Sequence, residues 1–138
     1  MHYTNTIRLH RGFDEAVAEV KDALKLRGFG TLTEIDVQAT LKEKLGADME
    51  PYLIIGACNP SLAHRALDAE RRIGALLPCN VVVRQDGDSV IVDALDPAIM
   101  VGVTDNPALQ PVAEEAARLI GEALAALAGT AAATDDRA

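Results

Sequence analysis

Apolar and polar residues alternate from His2 to His10, with Tyr3, Asn5, Ile7 and Leu9 on one side and Thr4, Thr6, Arg8 and His10 on the other. A period of two predicts a half-buried strand. From Phe13 the period lengthens. Phe13, Ala16, Val17, Val20, Ala23 and Leu24 share one stripe while Asp14, Glu15, Glu19, Lys21 and Lys25 face away, which predicts an amphipathic helix stopped at Gly28. Alternation returns over Phe29 to Asp36, and Val37 to Leu45 has the apolar spacing of a short helix closed by Gly46.

Tyr52 to Ala57 is a continuous apolar run bounded by Pro51 and by Asn59-Pro60, short enough for a buried strand. Asn59 is suited to cap a helix with Pro60 at its first position, where the missing N–H costs nothing, and that helix is expected to run to about Arg72. Ile73 to Pro78 reads as an apolar connection containing Gly74. Val81 to Arg84 and Ser89 to Leu95, separated by Asp86-Gly87, predict a β-hairpin. Val82 and Ile91 oppose the other hairpin valines, so both faces look apolar and burial is expected on each, by helices on one and by a partner subunit or ligand on the other. Asp96-Pro97 starts a helical turn through Met100. A long helix follows from about Asn106-Pro107 to Leu127, striped by Leu109, Val112, Ala116, Leu119, Ile120, Ala123, Leu124 and Leu127. Gly129 to Ala138 is small and polar, and is expected to form a mobile tail behind a single domain over residues 1–128.

Composition narrows the picture. The chain has 138 residues, 49% of them hydrophobic and 25% charged, which fits one globular core. Aromatics are only 3%, so that core must be aliphatic and platforms for stacking nucleobases are scarce. The net charge of -8 repels polyanions, which argues against nucleic acid and anionic membranes as partners. No run approaches the roughly 18 to 20 apolar residues of a membrane-spanning helix, and the charged N-terminal stretch has no signal-peptide core. These features predict a cytoplasmic protein, in which two cysteines would remain thiols.

Three stretches carry a family resemblance: GFGTLTEIDVQATLKEKLG at Gly28 to Gly46, YLIIGACNPSLAHRAL at Tyr52 to Leu67, and LLPCNVVVRQDGDSVIVDALDP at Leu77 to Pro97. With these the chain resembles domain-of-unknown-function family 302. The resemblance implies an α+β fold in two layers, a curved antiparallel sheet of about five strands in β-α-β-β-β-β-α order with helical insertions, like the TATA-binding-protein architecture. It also implies a homodimer. No activity comes with it, and the catalytic residues stay unknown.

One constellation could carry chemistry. If the strand ending at Cys58 and the strand beginning near Cys79 are antiparallel neighbours, their ends share one sheet edge. That edge would gather Cys58, Asn59, Cys79, Asn80 and the end of the next strand at Asp93, with His64 one turn into the following helix. Two thiolates and an imidazole are a soft ligand set for zinc or a similar divalent metal, so Cys58, Cys79 and His64 form a candidate metal site. The 21-residue separation of the cysteines lacks a C-x-x-C unit, so such a site would depend on tertiary geometry. Cys58 near a helix N-terminus could alternatively be a reactive thiol, and the plainest reading makes both cysteines small buried hydrophobes. Glu34 and Asp36, with Lys42 and Lys44 beyond them, read as a solvated rim. The glycines of RGFGT do not complete a dinucleotide fingerprint. The sequence thus supports a small-ligand or metal-ion binding module, a thiol- or metal-dependent enzyme using Cys58, Cys79 and His64, or a structural protein-interaction domain.

Overall fold

A computed structural model describes residues 2–129. Five strands, β1 (Thr4–Leu9), β2 (Gly30–Asp36), β3 (Tyr52–Cys58), β4 (Cys79–Asp86) and β5 (Ser89–Leu95), form one antiparallel sheet in the order β1-β5-β4-β3-β2. The helices are α1 (Phe13–Lys25), α2 (Val37–Leu45), α3 (Pro60–Ala69), α4 (Ala98–Thr104) and α5 (Gln110–Gly129), with short 3-10 turns at Arg71–Leu76 and Pro107–Leu109. The chain is therefore α+β, with α2, α3 and α4 inserted into the expected strand order.

Strand alternation builds the core. Leu9, Ile55, Val81, Val83, Val90 and Val92 turn to one face of the sheet, where Val20, Ile120, Leu109 and Leu62 of the helical layer close over them. Each fully buried aliphatic side chain contributes ~1.5–3 kcal/mol relative to exposure, and the low aromatic content leaves this work to many medium-sized residues. Phe29 is the one aromatic in that cluster among the described residues.

The opposite face is mixed, which corrects the expectation of an apolar hairpin on both sides. Ile91 is buried there and Val82 half-buried, but Arg84 and Asp93 alternate with them. Arg84 Nε donates to Asp93 at 2.7 Å, and the Thr6 hydroxyl donates to the same carboxylate at 2.8 Å. Asp93 thus belongs to this open face and not to the cysteine edge. The Asp93 carboxylate raises the Arg84 pKa, chiefly by hydrogen bonding. Arg8 reaches Asp86 at 2.9 Å one row away.

Several boundaries differ from the sequence pattern. The third helix stops at Ala69, before Arg72, because Glu70 turns extended. Its carboxylate accepts hydrogen bonds from Asn106 and Arg72, in that order the main causes of its lowered pKa. β4 starts at Cys79, two residues ahead of the apolar run, and Asp86 pairs with Ser89 across a two-residue turn. Gly87 holds φ +63 there, the first central position at which a II′ turn needs glycine. The fourth helix runs one turn past Met100 to Thr104. Gly129 ends α5, and the remainder of the expected tail lies outside the described residues.

Candidate functional site

The end of β3 and the start of β4 do adjoin. Ala57 lies opposite Cys79, and Cys58 lies opposite Gly30 on the other side. Asn59 leaves the strand in an extended conformation and its side-chain oxygen accepts from the Leu62 N–H at 3.2 Å, capping α3. That oxygen is committed to the helix. Beneath the cap a cleft opens between the strand ends, α3 and α5, lined mainly by Phe29, Cys58, Leu62, Pro78, Cys79 and Met100. Its free volume is about 30 Å³, room for a water or two.

Cys79 is buried and Cys58 half-buried, and both are free thiols. Burial first, and the neighbouring Cys58 second, push the Cys79 thiol up to about 11. A group with that pKa is protonated at neutral pH and is a poor nucleophile. The two cysteines are staggered by one residue in the ladder, and both line the cleft.

His64 and Asn80 do not join them. Leu62 and Ala66 supply the buried face of α3, and His64 lies two residues from each, about 200° around the helix. Its side chain is 79% exposed and sits 3.9 Å from Asp68. Asn80 alternates away from buried Cys79 and is exposed. Among the described residues no group of three or more His, Cys, Asp or Glu side chains is arranged to hold a metal ion, so Cys58, Cys79 and His64 do not assemble as the expected ligand set. The structure brings together Cys58, Asn59 and Cys79 only.

Close packing fixes this end of the sheet from the open side. A Cβ on buried Gly56 would meet Pro78 Cγ at 2.8 Å and crowd the Thr33 side chain, so only glycine fits between β2 and the chain entering β4.

A larger groove was not anticipated. It lies between the outer edge of β1 and α5, encloses about 740 Å³, and is lined by Thr4, Thr6 and Ile7 against Ala117, Gly121 and Ala125. The available signal was the four-residue spacing of those small residues on a helix otherwise read only for its apolar stripe. Among the described residues no helix is long and apolar enough to cross a membrane.

The family pattern described as domain of unknown function DUF302 matches residues 5–127. A crystal structure of an uncharacterized conserved protein DUF302 from Bacillus stearothermophilus is similar, at 30% identity and TM-score 0.84, over 91% of this chain and 98% of that one. No curated protein matches. The shared sheet, the order of its elements and a match from β1 to the end of α5 lead to one statement of identity: the chain belongs to the DUF302 family.

Proposed function

We propose that this domain is a homodimeric binding module that accepts a small uncharged, apolar group in the cleft beside Cys58 and Cys79. The observation carrying this reading is the lining itself. Phe29, Leu62, Pro78 and Met100 are apolar, the Asn59 oxygen is already bonded to the helix, and the Cys79 thiol is held neutral. Apolar walls with few polar groups are the usual composition of small-ligand sites. The small volume favours a methyl-sized group or the tip of a longer chain. Thiol catalysis by Cys79 has less support, because a thiol near pKa 11 contributes little thiolate, and a metal would need ligands beyond the two cysteines.

Titration of the protein with xenon, a single apolar atom little larger than a water, followed by methyl NMR, tests the cleft. Selective shifts of the Leu62, Met100 and Ala66 methyls are expected, and their loss in Ala116→Leu, which fills the cleft. Unmoved methyls at saturating xenon would sink the reading. Elemental analysis gives the parallel test for metal: one stoichiometric zinc lost in Cys58→Ser would replace the apolar ligand with an ion.

A further inference from the structure

We propose that a second copy of this chain docks on the corner formed by β2 and α2, pairing β2 antiparallel to its own counterpart about a two-fold axis. The proposal rests on the homodimeric reading above and adds its surface.

The corner does not cover itself. All seven residues of β2 are exposed, α2 has no buried residue, and none of the residues 30–51 is buried. Ordering a residue costs ~1–2 kcal/mol of backbone entropy, which burial ordinarily offsets. Here a regular strand and a regular helix persist almost without it. Of the six large hydrophobics exposed among the described residues, Leu32, Ile35 and Leu45 lie in this segment, 63%, 49% and 75% exposed, and Leu26 just precedes it. The other sheet edge differs, because Ile7 and Leu9 of β1 are buried beneath the helical layer.

Size and charge both suit a second copy. A stable interface takes ~20–30 residues from each side, and residues 30–51 supply a contiguous surface of that order. Lys25 and Arg27 precede β2, whereas Asp36, the cap of α2, lies at its far end; Glu34 beside it is paired with Lys21 of the same chain. Antiparallel pairing about a two-fold sets Asp36 of each strand towards the basic approach of the other. In a chain of net charge -8, which otherwise repels its own copies, this local complementarity selects the surface. The register shift between Thr31 and Thr33 leaves Leu32 outside the ladder and Thr33 to Asp36 in regular pairing with β3.

Sedimentation equilibrium at micromolar concentration decides, using wild type, the double variant Leu32→Lys/Ile35→Lys, and Ala125→Arg in the β1/α5 groove. The expected result is a wild-type dimer that weakens with salt, a double variant at least about tenfold weaker, and an Ala125→Arg protein that dimerises normally. A wild-type monomer throughout would overturn the dimer and the surface together. A dimer untouched by the double variant, or broken by Ala125→Arg, would overturn the surface alone. Should the double variant fail to fold, amide exchange of wild type decides: protection of Thr33 to Asp36 must rise with protein concentration, and constant protection rejects the interface.

Discussion

The two faces of the sheet use the same strands in opposite ways. On the helical face, alternate positions are aliphatic and sealed, so each is held by volume. On the open face, the intervening positions mix Val82 and Ile91 with Arg84, Asp93, Thr6 and Arg8, so they are held by directed bonds and by one close approach at Gly56. A methylene lost from the first face leaves a void. One lost from the second is replaced by water. Face, and not strand, therefore sets the cost of substitution.

The sharpest break of that rule should come on the helical face. Ile55→Ala is expected to lower unfolding free energy by about 2–5 kcal/mol in urea titrations, because Ile55 on β3 is fully buried beneath the helical layer. Cys79, on the same face, sharpens it through pH. Its folded pKa of about 11 lies above its ordinary value of 9.0, so the folded state holds the proton more tightly. That stability is fully present below about pH 8.5–9 and is lost as pH rises towards 11, by about 2–3 kcal/mol. Across that window wild type should lose stability more steeply with pH than Cys79→Ala, so the gap between their melts narrows. Alkylation at pH 8 should modify Cys58 well before Cys79.

Gly56→Ala tests whether the open face is as forgiving as its polarity suggests. The added methyl meets Pro78 and Thr33, and a loss of about 1–3 kcal/mol is expected by denaturant titration. A neutral result would mean that Pro78 yields. The smallest effect belongs to the Arg84–Asp93 pair, half-exposed on one side and more buried on the other. A double-mutant cycle with Arg84→Ala and Asp93→Ala should give a coupling of about 1 kcal/mol or less, reduced by salt.

Most of the architecture was legible from period alone. The switch from two to 3.6 at Phe13, the Asn59-Pro60 cap and the Gly87 turn are each written in local chemistry, and the structure follows them closely. Glu70 was not legible as a helix end, because the Asn106 amide that holds it comes from 36 residues away. The apolar run alone would start β4 at Val81; Cys79 and Asn80 lack strand character and are recruited by pairing with β3, the juxtaposition on which the candidate edge rests. Of the candidate site, the meeting of the strand ends was foreseeable. The exclusion of His64 was too, since Leu62 and Ala66 claim the inner face of α3 and leave position 64 outside. What no pattern conveyed was space: the tight cleft at the cysteines and the wide groove beside β1 depend on how far α3 and α5 stand from the sheet.

The unburied corner at β2 and α2 has a kinetic consequence. A segment whose opening exposes almost no new apolar surface can exchange its amides without waiting for the core to unfold. The domain should therefore behave as two cooperative units on the exchange timescale, a slow one from β1, β5, β4 and β3 and a fast one from residues 30–51. Whatever covers that corner would merge the two, and the chain would then unfold as a single piece.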